Sequence, residues 1–221
     1  MLISHKEKFC FLHNPKCAGT TIRSSLARYC ENNYYWMFEE IGDHRIDKAH
    51  MRAELFERIF QEDYSKVLTY FTFGIVRNPY DRAVSAFNEI HKDKWRNFKN
   101  GSLSEIEYME ELNSFVLNIN RNKVSGKLPR FRHSVRQRDI FYNKEKCVAD
   151  LIIKLEEIDH ADRLIKPFNE EISKVATTWK SNKKNVKKNK VKYITLLKDS
   201  AIKHINLFYQ DDFYIFRYEQ V

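Results

Sequence analysis

Residues 14–21 read Asn-Pro-Lys-Cys-Ala-Gly-Thr-Thr, and their types could hold an anion. Lys16 brings a mobile positive charge, Gly19 lets backbone approach closely, and Thr20 and Thr21 add hydroxyl donors. The run before them, KFCFLH at 8–13, reads as a buried strand. After them Ile22, Leu26 and Tyr29 fall on one helical face, with Thr20 or Thr21 as the expected N-cap. A helix N-terminus offers unsatisfied backbone N–H groups and the positive end of the peptide dipoles. A strand–loop–helix unit of this composition is therefore a place for phosphate or sulfate. The Lys stands before the Gly, so the Walker A order GxxxxGK[ST] is absent. No convincing strand ending in a Walker B Asp accompanies it. Magnesium-dependent chemistry on a nucleoside triphosphate is thus disfavoured, and no metal is expected. A sulfuryl group suits the loop better, because its transfer needs positive charge on the leaving oxygen but no bridging metal.

A second constellation follows another buried run, FTFGIV at 71–76: Arg77-Asn78-Pro79-Tyr80-Asp81-Arg82. Asn78 as N-cap, Pro79 at the first helical position and Asp81 at the third predict a helix start. Ala83, Val84, Phe87 and Ile90 supply its buried face. Arg77 at the strand end offers a planar fork and Ser85, about two turns on, a hydroxyl; together they could clasp a phosphate monoester. Asp81 and Arg82 read as groups that cap and brace the helix.

With both motifs in view, the sequence resembles the sulfotransferases that use 3′-phosphoadenylyl sulfate, most of all the carbohydrate sulfotransferase-like group and its bacterial relatives. NPKCAGTT is similar to their 5′-phosphosulfate loop, and RNPYDRAVSAF at 77–87 to their 3′-phosphate motif. The two stand about sixty residues apart, each at a strand-to-helix junction and in the expected order. Looser likenesses are AHMRAEL at 49–55, RQRDIF and KLEE within 136–157, and HINLFYQDDFYIFRYE near the end. Cys17 stands where many members carry Thr. The resemblance implies that Pro15, Lys16, Cys17, Ala18, Gly19, Thr20 and Thr21 cradle the 5′-phosphosulfate, and that Arg77 and Ser85 hold the 3′-phosphate. The product would be adenosine 3′,5′-bisphosphate. It also implies a P-loop-like three-layer α/β fold, with a mostly parallel central sheet flanked by helices in one domain spanning 1–221.

In-line sulfuryl transfer needs a base for the acceptor hydroxyl. His50 has the best case, because the resemblance places a functional His at this helix start; His44 and His133 are alternatives, and His13 reads as a packed residue. Lys16 would meet the charge developing on the leaving oxygen, so Lys16 and His50 are the expected catalytic pair. Residues 121–138 are basic, and the resemblance puts an acceptor-side segment there: Arg130, Arg132 and His133, with His50, are the expected acceptor contacts. The acceptor reads as a hydroxyl-bearing carbohydrate, an acidic glycan among the candidates.

The elements that must position these residues follow from pattern. The chain has 221 residues, which suits one domain with a substantial core. Helices are expected over 49–62, 104–120 and 195–209, with one interrupted near Pro167 over 159–176. Strands are expected at 147–153 and 213–216, and a long loop over 121–138. Alternating strands and helices argue for an α/β domain. No run of eighteen apolar residues occurs. MLISHKEKFCFL lacks a signal-peptide pattern, so a cytoplasmic protein is expected if Met1 is the natural start. The four cysteines form no CxxC pair and are expected to be reduced. Net charge is +9, which favours an anionic partner. The Lys/Asn-rich run at 180–192 is sparse in aromatics, which argues against a single-stranded nucleic-acid platform. A nucleotide kinase, a basic nucleic-acid-binding protein and a binding module without turnover are the rival readings.

Overall fold

The computed structural model describes residues 1–31, 38–41, 44–122, 129–179 and 193–221. In chain order the first elements are β1 (Leu2–Ser4), β2 (Phe9–Leu12), α1 (Gly19–Leu26), β3 (Phe38–Ile41) and β4 (His44–Asp47). Then come α2 (Ala53–Ile59), α3 (Gln61–Val67), β5 (Phe71–Val76), α4 (Pro79–Ile90), α5 (Lys92–Lys99) and α6 (Glu105–Leu117). A 3-10 segment, Pro129–Ser134, leads to α7 (Gln137–Phe141), β6 (Tyr142–Asn143), β7 (Lys146–Cys147) and β8 (Leu151–Lys154). The chain closes with α8 (Ala161–Ile165), α9 (Glu170–Ala176), α10 (Asp199–Phe208) and α11 (Gln210–Ile215). It divides into two compact units, Met1–Arg77 with Gln137–Asn189 and Asn78–Arg136 with Lys190–Val221.

The first unit is a mixed α/β structure around a sheet of order β1-β2-β5-β8. β1 is antiparallel to β2, whereas β2, β5 and β8 run parallel. FCFL and FTFGIV are almost wholly buried, the continuous apolar run expected of parallel strands covered on both faces. Phe9, Phe11, Phe73, Ile75 and Ile153 meet Ile22 and Leu26 of α1, Ile165 of α8 and Ile172 and Val175 of α9 in one core. On the other face Gly74 makes room for the Phe141 ring, since a Cβ there would lie 2.2 Å from Phe141 Cε1. Thr72 also reaches that side, its hydroxyl donating to Val67 O of α3 at 3.2 Å. The expected mostly parallel sheet flanked by helices is therefore present.

The second unit is helical. Asn78 caps α4 as the sequence predicts: its side chain accepts from Tyr80 N at 3.0 Å, with Pro79 at the first position. Phe87, Tyr108, Phe115 and Phe131 form its aromatic centre. Arg82, 1% exposed, donates to Val135 O at 2.6 Å and to His133 O at 3.4 Å, while Tyr209 donates to Ser134 O at 2.8 Å. Three successive carbonyls are thus tied down, and Asp212 at 4.0 Å balances the buried guanidinium.

Four expectations need correction. The run FYIF at 213–216 is not a strand: α11 extends to Ile215. Tyr209, Phe213 and Phe216 are buried at helical spacing, and Asp211 and Asp212 sit in the favourable first turn, so burial overrides β propensity. The helix over 49–62 begins only at Ala53 and breaks at Phe60 into α2 and α3. The strand at 147–153 is split between β7 and β8. Within the loop expected over 121–138, residues 129–134 wind into 3-10 turns and α7 starts at Gln137. Residues 123–128 and the run at 180–192 lie outside the described residues. No helix among the described residues is long and apolar enough to cross a membrane. The four cysteines are free thiols, and burial pushes Cys10 and Cys30 up to about 12, which silences them as nucleophiles at neutral pH.

Candidate functional site

The two motifs leave the carboxyl ends of neighbouring parallel strands, where ligands of α/β sheets bind. Leu12 at the end of β2 pairs with Gly74 of β5, so the loop at 13–18 and Arg77 emerge side by side. The loop is bent by two left-handed non-glycine residues, Lys16 (φ 65°) and Ala18 (φ 58°). Such backbone costs about 1–3 kcal/mol per residue and concentrates at functional sites. The expected Thr cap is absent: Ala18 is the N-cap and no side chain caps α1. The strained turn replaces the cap and leaves the first-turn N–H groups of Gly19 and Thr20 as donors at the helix start. The Cys17 side chain faces inward, donating to Pro15 O at 3.4 Å, so it anchors the loop and only its backbone can meet a ligand. Thr20 is exposed and Thr21 half-buried.

Arg77 is half-buried, and its Nη1 donates to Lys16 O at 3.5 Å. The guanidinium and the cradle are therefore neighbours. Gln137 joins them from α7: its Oε1 accepts from Arg77 N and from Asn14 Nδ2, both at 2.9 Å, and its Nε2 donates to Arg77 O at 2.9 Å.

His50 reaches the same place. It precedes α2 instead of opening it, in a turn that Asp47 organises: Asp47 Oδ1 accepts from Ala49 N at 3.1 Å and Oδ2 contacts His50 Nδ1 at 3.0 Å. An ionised carboxylate only accepts, so Nδ1 carries the proton and Nε2 is the basic nitrogen. The His50 ring lies 4.5 Å from the His13 ring, centroid to centroid. His13 in turn covers Gly19, where an added Cβ would fall 1.8 Å from His13 Nε2. One imidazole thus separates His50 from the helix start.

A cationic cradle, an Arg fork and an oriented imidazole now stand together in one unit. A family model described as the sulfotransferase family matches residues 1–219 of this chain. The chain belongs to the sulfotransferase family. No curated protein and no solved structure matched it. Membership makes it a transferase of sulfuryl groups from a sulfate donor to a hydroxyl-bearing acceptor.

Of the remaining expected residues of this sulfotransferase, Ser85, Arg130, Arg132 and His133 belong to the second unit and His44 to the first. Ser85 is half-buried on α4. Arg132 is half-buried and donates from Nε to His133 Nε2 at 3.2 Å; His133 is itself 9% exposed. The side chains of Arg130 and His44 lie outside the described residues. Sequence reading missed Asp47 and Gln137 and undervalued His13. Asp47 was within reach, standing three residues before His50; Gln137 is linked to Arg77 across 60 residues of chain.

The close contact at Gly19 yields a test of the site's packing in this sulfotransferase. His13 cannot simply swing aside, because it stacks on Phe11 and meets the tilted His50 ring. Gly19→Ala is expected to cost about 1–3 kcal/mol by overpacking. Thermal unfolding should show it as roughly 2–4 °C per kcal/mol for a chain of this size. An unchanged melting temperature would mean that His13 does not rest on the loop.

Proposed function

We propose that the sulfate donor is 3′-phosphoadenylyl sulfate and that both units form one sulfotransferase domain. The observation that carries the reading is the Arg77–Lys16 contact, which sets an Arg fork beside a Lys-and-hydroxyl cradle at the ends of β2 and β5. The donor set fits the nucleotide. Lys16, Thr20, Thr21 and the loop N–H groups, from Lys16 to Gly19, suit a 5′-phosphosulfate, and the guanidinium of Arg77 a 3′-phosphate. Ser85 enters on the strength of the resemblance.

When bound, the nucleotide supplies an activated sulfuryl group on a leaving phosphate. The chain's part is to place charge and move one proton. His50 Nε2 takes the acceptor's hydroxyl proton as the oxygen attacks sulfur, and Asp47 holds the ring while it is cationic. Lys16 balances the charge that grows on the leaving oxygen. The acceptor is proposed to be a carbohydrate, an acidic glycan in particular; the resemblance and the basic residues Arg130, Arg132 and Arg136 support this.

Calorimetry with adenosine 3′,5′-bisphosphate tests the donor. Wild type should bind, and Arg77→Ala should bind roughly 10- to 100-fold more weakly, the worth of a charge-assisted contact. No heat from wild type ends the nucleotide reading, and equal affinity in Arg77→Ala moves the 3′-phosphate elsewhere. Transfer to a panel of neutral and acidic oligosaccharides tests the acceptor.

A further inference from the structure

We infer that Gln137 is a positioning residue that fixes the spacing of the two anion-holding loops and thereby sets the preference for a nucleotide bearing a 3′-phosphate. The inference rests on the donor proposed above and deepens it. Its basis is the way the sheet ends. The β2–β5 ladder stops at the Leu12–Gly74 pair, and the β5–β8 ladder stops at Val76–Lys154. Beyond those points two side-chain amides continue the pairing. Asn14 Nδ2 donates to Ile75 O at 3.0 Å, as a strand neighbour would. Gln137 then grips both backbone groups of Arg77, accepting from its N–H and donating to its C=O, each at 2.9 Å.

The same Oε1 atom also accepts from Asn14 Nδ2 at 2.9 Å and lies 3.7 Å from Cys17 Sγ. One planar amide therefore touches the residue proposed for the 3′-phosphate and two residues of the loop proposed for the 5′-phosphosulfate. Gln137 has no solvent exposure and Asn14 is 1% exposed, so neither water nor ligand shares these bonds. A buried amide that accepts through its oxygen and donates through its nitrogen to the same main chain has one orientation. It holds the Arg77 main chain at a fixed distance from the Lys16 loop, and a guanidinium can select a phosphate only if its backbone is so held.

Gln137 touches no ligand in this account, and a purely structural role would lower stability without changing selectivity. The discriminating quantity is the ratio of affinities for adenosine 3′,5′-bisphosphate and adenosine 5′-monophosphate, measured by calorimetry alongside the melting temperature. Wild type should prefer the bisphosphate. Gln137→Met, similar in length but without hydrogen-bonding groups, should lose about tenfold or more of that preference, the worth of a misplaced charge-assisted contact. Gln137→Glu keeps the accepting oxygen but replaces the NH2, so it cannot donate to Arg77 O and should lose part of the preference; it also serves if the Met variant does not fold. A preference preserved in the variants that fold, with melting temperature reduced, overturns the inference and leaves the donor intact. A wild type that binds neither nucleotide overturns both.

Discussion

Lys16→Ala is expected to slow sulfuryl transfer about 100- to 1000-fold, the usual loss when one donor to a developing oxyanion is removed. The protein still folds, because Lys16 is a half-buried loop residue, and the loop is anchored by Cys17 beneath it. Left-handed backbone at position 16 is tolerated by Ala no better than by Lys, so the substitution leaves the strain unchanged. Affinity for adenosine 3′,5′-bisphosphate should fall much less than the rate, since the cradle's N–H groups, Thr20, Thr21 and Arg77 stay in place. Single-turnover transfer to the acceptor that wild type sulfates best separates the two effects. A loss confined to binding would make Lys16 a ground-state ligand, and the charge on the leaving oxygen would need another partner. Lys16→Arg keeps the charge but carries a wider, forked head. It should recover only part of the rate.

The cradle and the Arg motif were legible because each is local. An apolar run, a turn and a helix follow one another within about twenty residues, so each strand–turn–helix unit shows in a short stretch of sequence. Asn78, Pro79 and Asp81 act as their types predict. The cap of α1 was not legible. Lys16 and Ala18 adopt a backbone that neither residue type favours, and only the folded surroundings hold it there. Gln137 was hidden for another reason: its partners Arg77 and Asn14 lie 60 and 123 residues away, and no periodicity announces a side chain that completes a sheet. At α11 the sequence read as strand because Phe213-Tyr214-Ile215-Phe216 is rich in β formers. The packing of Phe213 on Tyr80, at 5.1 Å between centroids, needs helical spacing instead.

His50→Ala should lower the transfer rate about 100- to 10,000-fold, the range spanned by positioned general bases, with nucleotide affinity unchanged. The base assignment has a nearby competitor, since the His13 ring is only 4.5 Å away and lies closer to the helix start. The surroundings of the two rings favour His50. His50 has a carboxylate on Nδ1, which fixes its tautomer and offsets the charge it gains with the proton. The His13 ring is wedged between Phe11 and Gly19 and is 7% exposed, so an acceptor has little access to it. Asp47→Asn sharpens the test. The amide oxygen can still accept the Nδ1 proton and keep the ring in place, but the counter-charge is gone. The rate should then fall while the acceptor's KM holds, and by less than in His50→Ala. If Asp47→Asn costs nothing while His50→Ala is inactive, His50 works by contact with the acceptor and not as its base. If His50→Ala retains full rate, the proton goes to another group, and His13→Asn becomes the variant to measure.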